Sequence, residues 1–254
     1  MEPVNPHILS VAGFDPSAGA GILADIKTFE AHGLYATGVC SAITIQNDLS
    51  FESVDWVSEE KIVAQIKILS DRFLFDFIKI GLIENLDVLE KIVDLLKSEN
   101  RDAKIIWDPI ISASAGFTFH PILESKKIQS ICSKLFLVTP NIEEAKMISA
   151  KPGTIEGIAE LSKLCAVFLK GGHSEDNQAN DWLFVDGKSI KFESMKFENA
   201  EKHGTGCILS SAITAGLAQG LNLADACAEA KAYVADYLIS ARGLLGVHKR
   251  KLNV

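Results

Sequence analysis

The chain has 254 residues, of which 48% are hydrophobic and 23% are charged, and its formal net charge is -8. This composition excludes a disordered chain, which combines low hydrophobicity with high charge. The acidic balance excludes broad binding to nucleic-acid backbones but not the binding of a single nucleotide, for which a few amides and cations are enough. The length suits one large α/β domain, and we expect residues 1–254 to form it.

The cysteine content indicates a reducing compartment. The chain has five cysteines, an odd number, and no C-x-x-C pair, which is typical of a cytosolic protein rather than of a disulfide framework or a structural zinc site. The first residues lack the basic and apolar regions of a signal peptide. No stretch reaches the roughly 20 apolar residues that a membrane span needs. We therefore expect a cytoplasmic protein with neither a membrane nor a nucleic acid as partner.

Apolar runs alternate with helical patterns through the first half of the chain. Residues 7–12 are predicted to form a buried strand. A helix is predicted next, because Ile22, Ile26 and Phe29 have the spacing of one apolar face. Strands are predicted at residues 39–45, 75–80 and 104–107, and helices at 20–31, 59–72 and 86–97. Strands that alternate with helices in this way are typical of a parallel sheet.

The second half continues the alternation and adds a hairpin. Strands are predicted at residues 134–139, 166–169, 182–185 and 190–192, and helices at 142–149, 155–164, 206–219 and 224–242. Asp186-Gly187 separates the last two strands, which is the signal of a two-residue hairpin turn. Asn222 and Asp225 are placed as the N-cap of the last helix and its N3 acid.

These elements predict a three-layer α/β/α fold with a mostly parallel central sheet and a small β flap from the hairpins, because nearly all-apolar strands must be buried on both faces. In such sheets, ligands bind outside the carboxyl ends of the strands. The polar residues and glycines of this chain gather at those ends, at Asp15, Gln46, Gly81, Asp108, Asn141, Lys170 and Gly171. We therefore expect a binding site at that edge of the sheet.

The strongest chemical signal is the motif H-G-T-G-C at residues 203–207, which opens a helix rich in small residues. Glycines let backbone amides turn toward one point, and a helix N-terminus adds positive potential, so the motif predicts an anion hole for a transferred phosphoryl group. A helix N-terminus also lowers the pKa of a thiol, which makes Cys207 a candidate base for a substrate hydroxyl. The alternative is a glycine-rich helix entry with a buried cysteine, and spacing alone does not separate the two.

A second glycine-rich stretch lies between the first strand and the first helix. Residues 19–24 fit the dinucleotide pattern G-x-G-x-x-G/A. Five residues separate the strand from Gly19, however, and the acid expected about 20 positions later is only loosely matched by Asp48. A dinucleotide oxidoreductase is therefore the weaker hypothesis. Asp25, one turn into this helix, either faces the substrate or is an ordinary exposed acid.

Four strand-end residues have both a structural and a functional interpretation. Asn141 and Glu144 suit the N-cap and first turn of a helix. They equally suit the hydrated magnesium of ATP, since Mg²⁺ prefers oxygen ligands and keeps several waters. The acid Asp108 could sense metal or phosphate. Lys170 could meet the nucleotide phosphates, although a lone lysine at a strand end is more often solvated.

Taken together, these segments resemble one family, the hydroxymethylpyrimidine/phosphomethylpyrimidine kinases, which have a ribokinase-like fold. The matching motifs follow the family's order along nearly the whole chain: G-F-D-P-S-A-G-A-G-I-L-A-D-I-K-T at 13–28, Q-N at 46–47, K-I-G at 79–81, D-P-I at 108–110, T-P-N-I-E-E-A at 139–145, K-G-G-H at 170–173 with D-W-L-F at 181–184, and H-G-T-G-C at 203–207. Each motif is weak by itself, but the ordered set is specific.

The resemblance implies that ATP, with Mg²⁺, phosphorylates 4-amino-5-hydroxymethyl-2-methylpyrimidine and then its monophosphate, which is the route to thiamine diphosphate. It implies a substrate pocket formed by Gln46 at the pyrimidine edge together with Gly13, Asp25, Leu82 and Ile110. It implies an anion hole at Gly204, Thr205, Gly206 and Cys207, with Cys207 as the base. It implies nucleotide binding by Lys170, Asn141 and Glu144, and metal binding by Glu144 and Asp108. Because the family is commonly dimeric, a homodimer is expected.

The chain departs from the family pattern at three places: Ala18, where glycine is common, the loop at residues 112–119, and a shorter C-terminus. These departures leave the second phosphorylation and the substrate range open. The first alternative is a pyridoxal or pyridoxine kinase of vitamin B6 salvage, because that substrate also carries a hydroxymethyl group on an aromatic ring. A non-catalytic vitamin-binding protein is a further alternative.

Overall fold

A nine-stranded sheet runs through the molecule, and the computed structural model describes residues 6–111, 124–149, 155–171, 180–193 and 201–249. The strands are β1 (His7–Phe14), β2 (Tyr35–Gln46), β3 (Phe51–Trp56), β4 (Phe77–Ile80), β5 (Lys104–Trp107), β6 (Leu137–Val138), β7 (Ala166–Leu169), β8 (Asp181–Val185) and β9 (Lys188–Phe192). The helices are α1 (Gly21–Ala31), α2 (Glu59–Ser70), α3 (Leu86–Glu99), α4 (Ser125–Cys132), α5 (Ile142–Ile148), α6 (Ile155–Leu161), α7 (Thr205–Ala218) and α8 (Leu223–Leu238).

The strand order is β3-β2-β1-β4-β5-β6-β7-β8-β9. The six strands from β2 to β7 in this order are parallel, whereas β3, β8 and β9 run antiparallel to their neighbours. The predicted mostly parallel sheet is therefore confirmed, and hairpins continue it at both edges. From β1 the chain moves to one side to form β2 and to the other to form β4, which creates the switch point where such sheets bind ligands.

Alternate side chains of the strands enter two different cores, because successive residues of a strand point to opposite faces. Leu9 and Val11 of β1 pack in the larger core, which the helices α2 to α6 cover. Ile8 packs on the opposite face, in contact with Phe29 of α1 and Ala215 of α7. Helix α8 covers the same face beside α7. The predicted three-layer α/β/α arrangement is confirmed, and none of the described helices is long and apolar enough to cross a bilayer.

Several local predictions are confirmed by their hydrogen bonds and dihedral angles. The Asn222 side chain accepts a hydrogen bond from the amide of Asp225 at 3.0 Å and so caps α8. The β8–β9 turn places both Asp186 and Gly187 at positive φ, 49° and 77°, as a two-residue hairpin of this kind requires.

Other elements differ from the sequence predictions. Strand β3 and helix α4 were not predicted, and the strand expected at residues 134–139 contributes only two residues, Leu137–Val138, to the ladder. Helix α8 ends at Leu238 rather than at residue 242, and Gly243 follows with a φ of 84°. The chain beyond the helix instead folds back: the Lys202 ammonium donates to the carbonyl of Ala241, and the amide of His203 donates to Leu244.

Candidate active site

The sheet aligns four polar or glycine positions at its carboxyl edge. The amides of Gly81, Asp108, Thr139 and Lys170 donate to the carbonyls of Val11, Ile80, Trp107 and Pro140, at 2.8, 2.8, 3.0 and 2.8 Å. Each of these hydrogen bonds continues the parallel ladder just past a strand end. The sheet therefore fixes the backbone of these four residues, and they lie side by side at its carboxyl edge.

One buried ion pair joins Asp108, after β5, to Lys170, after β7. The Lys170 Nζ lies 2.8 Å from Asp108 Oδ1 and 3.7 Å from Glu144 Oε2. Thr139 Oγ1 donates to the same Oδ1 at 3.2 Å, and Ser210 of α7 donates to Oδ2 at 3.2 Å. Lys170 is therefore not a solvated lysine, as a lone lysine at a strand end often is. Its ammonium is held at the site by two acids.

The charges of this cluster follow from burial and from mutual attraction. Burial by itself would lower the pKa of Lys170, but the attraction of Asp108 and Glu144 outweighs burial and raises it. Burial would raise the pKa of Asp108, yet the attraction of Lys170 and Lys79 lowers it overall. For Glu144, burial prevails over the more distant Lys170 and raises the pKa. Asp108 and Lys170 thus form the charged centre of the site, with Glu144 at its margin.

Asn141 and Glu144 form the entry of α5, as the structural interpretation predicts. The Asn141 Oδ1 accepts from the amide of Glu144 at 2.8 Å, and Glu144 Oε2 accepts from the amide of Asn141 at 2.7 Å. This reciprocal pair is a capping box. The same Oε2 lies 3.7 Å from Lys170 Nζ, so the cap also borders the site and the two interpretations of these residues are compatible.

The N-terminus of α7 points into the same edge of the sheet. Gly204 has a φ of 75°, and a Cβ at this position would collide with the Gly19 carbonyl, so only glycine fits there. The first amide of the helix to find an intrahelical carbonyl belongs to Ile208, which donates to Gly204 at 3.0 Å. The amides of the three residues before it have no carbonyl within the helix to donate to, as at any helix start. A Cβ on Gly206 would lie 3.2 Å from Lys170 Nζ, so the predicted anion hole and this lysine share one space.

The loop after β1 is tied to the anion hole by Asp15 and His203, to which the sequence analysis gave no individual role. Asp15 Oδ2 lies 2.9 Å from His203 Nε2 and accepts from the amide of Ala20 at 2.8 Å. Burial would raise the pKa of Asp15, but the hydrogen bonds from His203, Ala20 and Ser17 together lower it. Their positions were the signal that sequence offered: Asp15 directly follows the first strand, and His203 is the first residue of the H-G-T-G-C motif.

Cys207 lies in the first turn of α7 and is buried. Burial raises the pKa of this thiol to about 11, and the nearby Lys79 and a hydrogen bond from the Gly21 amide only partly oppose that effect. The expectation that the helix N-terminus lowers the pKa of Cys207 is therefore wrong, because desolvation of the thiolate is the larger effect.

A second buried ion pair lies beside the thiol, between Asp25 of α1 and Lys79 of β4. The Lys79 Nζ lies 2.9 and 2.8 Å from the two carboxylate oxygens, and neither side chain is exposed to solvent. The interpretation of Asp25 as an exposed helix acid is wrong. Sequence reasoning gave Lys79 no individual role, although a lysine within the otherwise apolar strand F-I-K-I was a signal that it needed a buried partner.

The positions expected to line the substrate pocket are only partly brought together. Gly13 faces Leu82, since a Cβ on the glycine would lie 3.1 Å from Leu82 Cδ2, and Ile110 Cδ1 lies near Gly81. Gln46 is half-buried at the end of β2. Among the described residues, no hydrogen bond joins its side chain to another site residue. Residues 112–119 and the end of the K-G-G-H motif, residues 172–173, lie outside the described residues.

Solved structures share this fold over nearly their whole length. The structure superimposes on the pyridoxal kinase from Staphylococcus aureus in complex with pyridoxal with a TM-score of 0.83, at 24% identity over 97% of this chain and 94% of that chain. For the phosphomethylpyrimidine kinase from Clostridium difficile 630, the TM-score is 0.76, at 30% identity over 91% and 99% of the two chains. The first likeness shows the fold alone. The fold, together with the 30% identity of the phosphomethylpyrimidine kinase, defines a ribokinase-like phosphotransferase.

Sequence comparison narrows this class. A sequence model of the family "Phosphomethylpyrimidine kinase" matches residues 15–250, so the chain belongs to that family. The hydroxymethylpyrimidine/phosphomethylpyrimidine kinase of Escherichia coli (strain K12) is 33% identical over 247 residues, which cover 92% of this chain and 91% of that protein. The protein of the same name from Rhizobium meliloti (strain 1021) is 36% identical over 238 residues, 89% and 88% of the two chains. The resemblance that the ordered motifs predict is confirmed.

Proposed function

We propose that this protein transfers the γ-phosphoryl group of ATP to the hydroxymethyl group of 4-amino-5-hydroxymethyl-2-methylpyrimidine, and then phosphorylates the monophosphate to the diphosphate. The observation that carries the proposal is that Lys170 Nζ lies close to the N-terminus of α7. A Cβ added to Gly206 would lie only 3.2 Å from this ammonium. Such a cationic cradle suits a phosphoryl group, and the curated relatives are named for the two pyrimidine substrates.

The proposed reaction is an in-line transfer. In the first transfer, the substrate hydroxyl oxygen bonds to the γ-phosphorus, the bond from that phosphorus to the β,γ-bridging oxygen breaks, and ADP leaves. The hydroxyl proton passes to the thiolate form of Cys207, while the amides of residues 204–207 and Lys170 stabilise the charge on the phosphoryl oxygens. In the second transfer, a phosphate oxygen of the monophosphate is the attacking atom. Gln46 hydrogen-bonds the pyrimidine edge, and Gly13, Leu82 and Ile110 line the ring's apolar surroundings.

We propose that Asp108 and Glu144 would hold the Mg²⁺ of the nucleotide, which would offset the negative charge of the phosphates. Both acids would do so from within an existing hydrogen-bond network. Asp108 already accepts from Lys170, Thr139 and Ser210, and Glu144 Oε2 accepts from Asn141. Among the described residues, no three acidic, histidine or cysteine side chains gather as a metal-binding set. Mg²⁺ keeps several waters and needs only one or two carboxylates beside the phosphates.

The deciding experiment measures ATP-dependent phosphorylation of hydroxymethylpyrimidine, its monophosphate and pyridoxal side by side, with the products identified by mass spectrometry. We expect a pyrimidine diphosphate. A monophosphate alone would reject the second step, and pyridoxal phosphate alone would reject the pyrimidine function in favour of vitamin B6 salvage. No turnover of any of the three substrates would favour the non-catalytic alternative.

Two further properties belong to the proposal. All five cysteines lie within the described residues and are free thiols, which supports a cytoplasmic location. A homodimer is supported by the β2–β3 edge of the sheet, where large apolar side chains reach solvent at Ile43, Ile45 and Leu49, with exposed fractions of 48%, 47% and 76%. Exposed apolar side chains grouped close to the edge of a sheet favour association with a second chain.

A further inference from the structure

Helices α1 and α7 pack in register around the Asp25–Lys79 ion pair. Residues four apart lie on one face of a helix, and two such pairs meet here. The amide of Gly21 in α1 is close enough to the thiol of Cys207 in α7 to lower the pKa of that thiol. One turn further along both helices, Ser211 Oγ donates to Asp25 Oδ1 at 2.8 Å. The geometry therefore fixes Cys207 one helical turn from the ion pair, on the face of α7 that covers it.

The ion pair is held from every side. Besides Lys79 and Ser211, the carboxylate of Asp25 accepts from Ser10 Oγ at 2.6 Å. A substrate group that bound Asp25 would have to displace one of these three partners. Buried ion pairs are weak contributors to stability, and apolar residues of similar volume often replace them at no cost. Because stability alone does not account for the Asp25–Lys79 ion pair, its position near the proposed base Cys207 indicates that Lys79 has a role in function.

Four charged groups are close enough to the thiol to interact with it electrostatically. Lys79 comes from β4, Asp25 from α1, Asp108 from the end of β5 and Lys170 from the end of β7. Burial raises the pKa of Cys207 most strongly; Lys79 lowers it, and the two acids raise it with smaller individual effects. Burial would lower the pKa of Lys79, but its attraction to Asp25, Cys207 and Asp108 raises it, so the ammonium stays charged.

We propose that Lys79 is a positioning residue: its ammonium, anchored by Asp25, stabilises negative charge on Cys207 Sγ and so generates the form of the thiol that accepts a proton. The inference rests on the proposed function, in which the thiolate takes the substrate hydroxyl proton and later returns it to solvent. Asp25 acts through Lys79, and its own role is to hold the ammonium in place.

The test measures thiol chemistry rather than turnover. The rate of Cys207 alkylation by iodoacetamide is followed from neutral to alkaline pH on the full chain without nucleotide or pyrimidine, and the Cys207 peptide is quantified by mass spectrometry. The variants are Lys79→Met and the double variant Lys79→Met/Asp25→Asn, which leaves no buried charge unpaired. We expect both to shift the alkylation profile to higher pH. Alkylation on the rising limb should slow about tenfold, which corresponds to one pKa unit.

The matched control is Lys134→Met, which removes a positive charge from a surface ion pair with Asp94 and should leave the profile in place. If the Lys79→Met variant does not fold, the double variant decides the outcome. A double variant that folds and retains the wild-type profile would overturn the proposal, even if its kinase activity is lost. If wild-type protein phosphorylates none of the three substrates, the proposed function fails, while a shifted alkylation profile still supports the electrostatic effect of Lys79 on the thiol.

Discussion

At the scale of single residues, burial controls the charge state of Cys207. With a pKa of about 11, roughly one thiol in 10,000 is ionised at pH 7. The rare thiolate is correspondingly a strong base, because basicity rises with pKa. If Cys207 is the base, kcat/KM should rise with pH above neutrality, since the active form is the deprotonated one and its fraction grows about tenfold per pH unit below the pKa.

We predict that Cys207→Ala lowers kcat by about 100-fold or more, the usual contribution of a general base, and removes the rising alkaline limb of the pH–rate profile. The KM for the pyrimidine should change little, because the thiol meets only the reacting hydroxyl. Steady-state kinetics from pH 6 to about 10 checks this, with Cys40→Ala as the matched control. A variant with full activity would reject the base assignment.

At the scale of elements, the chain after α8 supports Lys202 and His203, the two residues that precede the predicted anion hole. The Lys202 ammonium is mostly buried and donates to the carbonyls of Ala241, at 2.7 Å, and Gly243. Next to it, the His203 amide donates to Leu244 at 2.9 Å. Tyr237 secures the returning chain, since its hydroxyl accepts from the amide of Gly246 at 3.0 Å. The segment at residues 240–249 therefore holds the residues that lead into α7.

We predict that Lys202→Met lowers the free energy of unfolding by about 1.5–3 kcal/mol, since hydrogen bonds from a charged donor are lost and two carbonyls lose their partner. The KM for ATP should rise as well, because the loop before Gly204 loosens. Chemical denaturation and ATP titration measure both effects, and Lys191→Met, in a surface pair with Glu193, is the control. Unchanged ATP kinetics in a destabilised variant would limit Lys202 to a purely structural role.

At the scale of the whole molecule, apolar side chains reach solvent near both edges of the sheet. Ile190 of β9 is 48% exposed at one edge, and Ile43 and Ile45 of β2 are 48% and 47% exposed next to β3 at the other. These two isoleucines are two apart on β2 and so point to the same face. A single sheet runs between these edges through the described residues, and one domain over residues 1–254 stays a prediction.

We predict that Ile45→Lys shifts the protein from dimer to monomer, because a lysine at this position would bring a charge into the apolar contact. Sedimentation equilibrium of wild type and variant at the same concentration is the measurement. Ile155→Lys is the control, since Ile155 is 74% exposed on α6, at the opposite end of the sheet. A wild-type protein that sediments as a monomer would contradict the proposed dimer.

Local patterns predicted most of the elements and many of the site positions. The spacing of apolar residues gave α1, and the Asp186-Gly187 turn gave the last hairpin, because both depend on neighbouring residues only. Strand β3 was missed because its six residues, F-E-S-V-D-W, are largely exposed and form a strand only by pairing with β2. Tertiary pairing of this kind leaves little trace in a short polar segment.

The sequence by itself determined the family, the parallel sheet and the strand ends at which Asp108, Asn141 and Lys170 lie, since these follow from periodicity and from motifs contiguous in the chain. Only the tertiary structure decided the partners of the charged residues. Asp25 meets a lysine 54 positions away, and Asp15 meets a histidine 188 positions away. It also decided the charge state of Cys207, because the desolvation of a thiol depends on all the elements packed around it.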